Sequence, residues 1–199
     1  MLLKKRLWLL ISGVCITSAV LLELFPATAV YNKILGKPAI NGFQSSFKLS
    51  NYPMQNQLGQ TVTWSTYADR PLYITTGFTI CSYTCPITMI FYQKLKQKIQ
   101  DKAVFSLFTI DPLSDSPKVL GHFLEQFDPA FVGLQINNNV HFKKVISELN
   151  QSVTNVPESK DIIHSNYIYL LHPKLNGLVV YTEQHLDLIL RDYKLLMNI

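Results

Sequence analysis

From Phe47 onward, short apolar runs alternate with segments whose apolar residues recur at helical spacing. "FKLSN" and "QTVTWS" flank "QNQLGQ" as the arms of a hairpin, with Gly59 in the turn. "RPLYITTGFT" and "AVFSLFTI" are nearly continuous apolar runs and predict interior strands. Between them Ile87, Ile90, Phe91 and Leu95 fall at helical spacing, Gln93, Lys94, Lys96, Gln97 and Lys98 fill the other face, and Pro86 suits the first turn. Ser116 before Pro117 predicts the N-cap of a second helix, whose stripe is Leu120, Phe123, Leu124 and Phe127. "FVGLQI" returns to a strand, and a third helix carries Phe142, Val145, Ile146 and Leu149. "NYIYLLHP" and "GLVVYTE" are strands joined near Asn176-Gly177, and Leu186, Ile189, Leu190 and Tyr193 mark a closing helix.

A βαβ half followed by a ββα half is the thioredoxin arrangement. The expected fold is therefore α/β and thioredoxin-like: a mixed central sheet flanked by helices, with an N-terminal β-hairpin. Upstream, Lys4, Lys5 and Arg6 precede "LWLLISGVCITSAVLLELF", Leu7 to Phe25, close to the roughly 20 apolar residues that span a bilayer. This reads as an N-terminal transmembrane helix, with a signal peptide cleaved near Ala27–Ala29 as the alternative. Both readings export the body. The expected divisions are 1–29 anchor or signal peptide, 30–46 linker and 47–199 thioredoxin-like domain.

At 199 residues, 48% of them hydrophobic, the chain has enough apolar material for one core, which sets aside the disordered classes. Three charges of the net +5 sit at Lys4, Lys5 and Arg6, no basic stripe follows, and nucleic-acid binding is disfavoured.

The candidate chemistry lies in "TTGFTICSYTCPIT", Thr75 to Thr88. Cys15 belongs to the apolar leader, so Cys81 and Cys85 are the cysteines of the exported body, at the junction where a thioredoxin-like strand enters its helix. Unpaired N–H groups at a helix start favour an anion and are expected to lower the pKa of Cys85. A redox couple ordinarily has one fewer intervening residue, and structural zinc ordinarily has a second cysteine pair, which is absent here. Two soft thiolates suit Cu(I), and an added imidazole suits Cu(II). A disulfide that only staples the loop remains open. Of the histidines, His122 and His141 read as helix and surface residues, His172 as a turn residue, and His185 has no role. His164, in "ESKDIIHSNYIYLL", precedes a strand expected to lie beside the one that ends at the cysteines.

Three blocks resemble the Sco (Sco/SenC) family, membrane-anchored copper-binding proteins of thioredoxin fold that help assemble cytochrome c oxidase. "GFTICSYTCP" is similar to the family's metal loop, "FTIDPLSDSP" to its strand-and-helix-start block, and "IIHSNYIYLL" to the segment carrying its third ligand. The resemblance implies copper, as Cu(I) and Cu(II), held by Cys81, Cys85 and His164. It implies a copper chaperone rather than an enzyme, acting on the copper-site subunit of cytochrome c oxidase or another copper acceptor, with thiol–disulfide reduction by Cys81 and Cys85 as the alternative. It places the chain in a bacterial inner membrane with the domain facing the periplasm, or in the mitochondrial equivalent. Tyr83 and Ile163 stand where many members carry acidic residues, and "HPKLNG" departs from the usual Asp-Pro-Asp-Gly-like turn. Asp111 and Asp115 match the family block but suit loop and capping roles.

Overall fold

The computed structural model describes residues 40–156 and 162–197, and its sheet begins upstream of Phe47. Strand β1 (Phe43–Ser45) pairs antiparallel with the strand at 178–181, Phe43 opposite Val180. The expected linker at 30–46 therefore overruns the start of the folded body. The cause is a buried carboxylate far along the chain. Asp192 accepts hydrogen bonds from Asn41 N (2.8 Å), Asn41 Nδ2 (2.6 Å), Gly42 N (2.9 Å) and Tyr181 Oη (3.1 Å), so this polar segment is pinned. Leu7–Phe25 and Cys15 lie outside the described residues. Among the described residues no helix is long and apolar enough to cross a membrane.

The hairpin pairs β2 (Met54–Asn56) with β3 (Thr61–Val62). Gly59 takes φ +75° in its turn, and Asn56 Oδ1 accepts from Leu58 N and Gln60 N. "FKLSN" is not its first arm, because side chains use these polar groups instead. Ser50 N and Oγ donate to the Glu148 carboxylate (2.8 and 2.5 Å), and Asn51 bonds Ser65.

Next come β4 (Leu72–Gly77), α1 (Thr84–Ile99), β5 (Val104–Thr109), α2 (Pro117–Glu125), β6 (Val132–Gln135) and α3 (Asn139–Glu148). A small antiparallel ribbon of β7 (Val153–Asn155) and β8 (Ile162–His164) follows, then β9 (Ile168–Leu171), β10 (Leu178–Tyr181) and α4 (Leu186–Met197). The ribbon was not expected, and it places His164 at a strand end rather than in a loop. The main sheet runs β1-β10-β9-β4-β5-β6-β2-β3, with β4, β5 and β6 parallel and the other pairings antiparallel.

Every residue of β4 and β5 is buried, as their unbroken apolar runs predict for central strands. Alternate residues face opposite sides. On one side Phe105 meets Tyr73 and Tyr92 of α1; on the other Phe108 meets Trp64 and Phe142 of α3. Helices thus cover both faces. Ser116 caps α2 as expected, and Asn138 caps α3 by accepting from Val140 N and His141 N.

Half of the expected α1 stripe is buried: Phe91 and Leu95 are, but Ile87 and Ile90 are 46% and 44% exposed, and Cys85, Thr88, Met89, Tyr92 and Ile99 are buried with the first pair. The helix is rotated to bring Cys85 and Tyr92 against the sheet, so the thiol belongs to the packed face.

Replacing Asp192 by Ala strands Asn41 N, Gly42 N and Tyr181 Oη. The expected cost is on the order of 3 kcal/mol, from typical penalties for unsatisfied buried groups. It should be read as a lower urea midpoint at unchanged m-value; an unchanged midpoint would show that this carboxylate does not hold β1.

Candidate metal centre

Strands β4 and β5 end side by side, and Ile110 N donates to Gly77 O (2.9 Å) to extend their pairing. The thiol loop leaves β4 here, at the carboxyl edge of parallel strands where α/β folds commonly build sites. Gly77 lets the sulfur approach, since a Cβ on it would lie 2.8 Å from Cys85 Sγ and 3.0 Å from Leu107 Cδ1. Cys85 consequently sits 3% exposed against the strand end.

Cys81 occupies a different environment. Its N–H donates to Phe78 O (3.3 Å), and its sulfur accepts from Cys85 N (3.4 Å) in the first turn of α1. Burial pushes the Cys81 pKa upward, but hydrogen bonds from the Cys85 thiol and from the Cys85, Tyr83 and Thr84 N–H groups outweigh it, and the net direction is downward. Burial drives Cys85 well above the ordinary thiol range, and its hydrogen bond to Cys81 and the charges of Cys81 and Asp115 add to this. The lowering expected for Cys85 falls on Cys81 instead, because it is the Cys81 sulfur that the helix-start N–H groups surround. Both cysteines are free thiols in this structure.

Asp115 fixes the loop from below. Fully buried, it accepts from Thr79 N (3.1 Å), Thr79 Oγ1 (2.5 Å) and Thr109 Oγ1 (2.6 Å). It is a structural acceptor one residue before the α2 cap, as its loop reading expects. Burial raises its pKa, and the hydrogen bonds from Thr109 and Thr79 offset only part of the rise.

His164 stands beside this loop, its ring in T-shaped contact with Phe78 at 6.1 Å between centroids. Its Nδ1 lies 3.1 Å from Ser165 O, and burial lowers its pKa, which favours the neutral, metal-binding form. A second link runs from the following residues to the cysteine helix. Thr88 Oγ1 lies 3.1 Å from Asn166 Oδ1 and accepts from Gln184 Nε2 (2.7 Å). The structure therefore forms the thiol pair and places His164 one aromatic ring away. Among the described residues, no three His, Cys, Asp or Glu side chains are close enough to enclose a metal ion. The other histidines lie elsewhere: His122 beside Glu125, His141 stacked on Tyr52, His172 in its turn with Nδ1 accepting from Lys174 N, and His185 at the start of α4.

Thr88, Gln151 and Asn166 carry no signal in the sequence; Gly77 does, as the glycine that opens the metal-loop block four residues before Cys81.

The family model for SCO1/SenC matches residues 42–190. The chain belongs to the SCO1/SenC family. Its start agrees with the strand β1 that Asp192 secures. A SCO2-like protein of Rickettsia felis is 32% identical over 105 residues, 48% of this chain and 50% of the relative, so the match spans about half the length of that relative. Two solved SCO1/SenC-type structures share the fold. Copper-bound ScoI of Bradyrhizobium japonicum superposes with a TM-score of 0.65 at 21% identity, over 73% of this chain and 97% of that one. BsSco, described as a cytochrome c oxidase assembly protein with a disulfide switch, gives 0.62 at 21% identity, over 78% and 95%. The family and the superpositions establish the thioredoxin-like α/β fold with its mixed central sheet.

Two measurements check the site's electrostatics. Iodoacetamide followed by mass spectrometry should modify Cys81 at least about tenfold faster than Cys85 near neutral pH, since one pKa unit alone gives that ratio. Equal rates would contradict the asymmetry. For Asp115, a raised folded-state pKa means that the folded chain binds the proton more tightly than the unfolded chain. Its contribution is fullest below the ordinary carboxyl value and is lost as pH rises through the folded-state value. Urea midpoints taken from about pH 4 to neutrality should fall less in Asp115→Asn than in the parent; parallel curves would show that Asp115 does not titrate abnormally.

Proposed function

We propose that this chain is an exported copper-binding protein that binds copper through Cys81, Cys85 and His164 and passes it to the copper-site subunit of cytochrome c oxidase. The observation that carries this reading is the His164 imidazole, kept neutral by burial and one aromatic ring from the thiol pair, whose Cys81 Sγ takes the Cys85 N–H at the start of α1. The donor set fits copper: two soft sulfurs suit Cu(I), and an added imidazole nitrogen suits Cu(II). The bound ion is cargo. The protein's part is to keep Cys81 partly open to a partner, to hold Cys85 against Gly77, and to present His164 uncharged. The acceptor follows from the Sco resemblance and from BsSco's description as an oxidase assembly protein. We extend the same reading to the chain's organisation: residues 1–29 anchor it, and the domain faces the periplasm of a bacterial inner membrane or the mitochondrial equivalent.

The unequal thiols favour a second reading, thiol–disulfide reduction. Cys81 thiolate would attack an acceptor disulfide, forming a mixed disulfide and releasing one acceptor thiolate. Cys85, after losing its proton to solvent, would then attack Cys81 Sγ and release the second. Two electrons pass to the acceptor and a Cys81–Cys85 disulfide remains, to be reduced by an external dithiol.

Copper stoichiometry and Cu(II) spectra of the reduced protein separate these readings, measured beside a disulfide-reduction assay. One copper per chain is expected in the parent. His164→Ala should retain Cu(I) and lose the parent Cu(II) spectrum, and Cys85→Ser should lose both. An unchanged Cu(II) spectrum in His164→Ala removes the three-ligand site, and reduction without copper binding selects the second reading.

A further inference from the structure

Gln151 is a buried polar residue with an unusual place in the fold. It follows the C-terminus of α3 by one turn of chain, where Asn150 adopts φ +49° and Gln151 N still donates to Ile146 O (3.0 Å). Asn tolerates this left-handed conformation better than most residues. The reversal sends the Gln151 side chain toward β4, β9 and the base of the β7–β8 ribbon. Its Nε2 donates to Thr76 Oγ1 and to Ser165 O (2.6 Å), and its Oε1 accepts from Tyr169 Oη (3.0 Å). The amide orientation is set by chemistry. Reversing it would put Oε1 against the Ser165 carbonyl, acceptor against acceptor.

Ser165 O is also the atom that faces His164 Nδ1 at 3.1 Å. A carbonyl only accepts, so this contact requires the proton on Nδ1 and leaves the lone pair on Nε2. The carbonyl's position and direction thus decide which imidazole nitrogen is free. We propose that Gln151 is a positioning residue for His164: by tying the Ser165 carbonyl to Thr76 of β4 through Nε2, it holds the imidazole in the Nδ1–H tautomer, with Nε2 of the ring as the free ligand atom. This rests on the copper reading for its purpose, though not for its geometry. Partners that orient a metal-binding histidine in this way typically change metal affinity by about 10–100-fold when removed.

The test is made on the metal-free, reduced protein with ¹⁵N-labelled histidine, at a pH about two units above the ordinary imidazole value, where the ring is neutral. The His164 ring nitrogens should report the Nδ1–H tautomer in the parent and a shift toward Nε2–H in Gln151→Leu. Tyr169→Phe removes only the bond to Oε1 and should leave the tautomer largely as in the parent. A dominant Nε2–H tautomer in the folded parent overturns the proposal even if Gln151→Leu does not fold. An unchanged tautomer in a folded Gln151→Leu overturns it as well. Cu(II) titration of the same proteins should show Gln151→Leu weaker by about 10–100-fold. If the parent binds no copper while the tautomer responds as expected, the copper reading fails and the positioning role stands.

Discussion

The site depends on one buried carboxylate. Asp115 joins three pieces of backbone that would otherwise diverge: the end of β5 through Thr109, the thiol loop through Thr79, and the cap of α2 through its neighbour Ser116. A carboxylate removed from water is costly unless its lone pairs are filled, and here three donor atoms fill them. Thr109 Oγ1 in turn accepts from Asp111 N (3.0 Å), so the next turn of chain is drawn into the same cluster. The loop is thereby fixed at Thr79, two residues before Cys81. The same charge opposes ionisation of Cys85, so one group sets both the position of the pair and part of its inequality.

The opposite wall of the site is built from neutral hydrogen bonds. Asn166 meets Thr88 on the buried side of α1, one turn beyond Cys85, and Ser165 is held by Gln151. The tripeptide His164–Ser165–Asn166 is therefore tied both to the cysteine helix and to the sheet. The β7–β8 ribbon adds register, since Val153 pairs with His164 directly. Contacts of this kind orient a side chain without adding charge. That matters in this chain, where Gly77 to Tyr92 contains no charged residue and Tyr83 and Ile163 are 78% and 65% exposed.

The central strands were legible in the sequence because burial on both faces leaves an unbroken apolar run, as in β4 and β5. Ser116 and Gly59 were legible because their roles are local. The start of the domain was not: "INGFQSS" is polar and short, and it becomes a strand because Asp192, about 150 residues away, takes its N–H groups. In α1 the sequence stripe is right for Phe91 and Leu95 and wrong for Ile87 and Ile90, which outweigh Thr88 and Met89 in hydrophobicity while tertiary packing favours Cys85 and Tyr92. Cys81 and Cys85 stood out by residue type and spacing, and His164 by its place before a strand and by the Sco resemblance. Gln151 did not, since a glutamine after a helix has no signature, and its importance lies in bonds to Thr76, Ser165 and Tyr169 that only the fold assembles.

The thiol pair by itself does not decide between carrying a metal and exchanging a disulfide. Helix-start N–H groups that steady a Cys81 thiolate serve a nucleophile and a soft ligand equally. A buried, protonated Cys85 serves as a resolving thiol or as a second ligand that gives up its proton when an ion arrives. On the proposed reading, the feature that separates the two is on the other wall. A disulfide exchange needs no imidazole with a fixed tautomer, yet His164 is kept neutral by burial, set against Ser165 O through Nδ1, and backed by a glutamine whose polar atoms are all engaged. On the proposed copper reading, buried hydrogen bonds that orient one imidazole nitrogen serve a ligand atom, whereas a simple redox couple has no use for them.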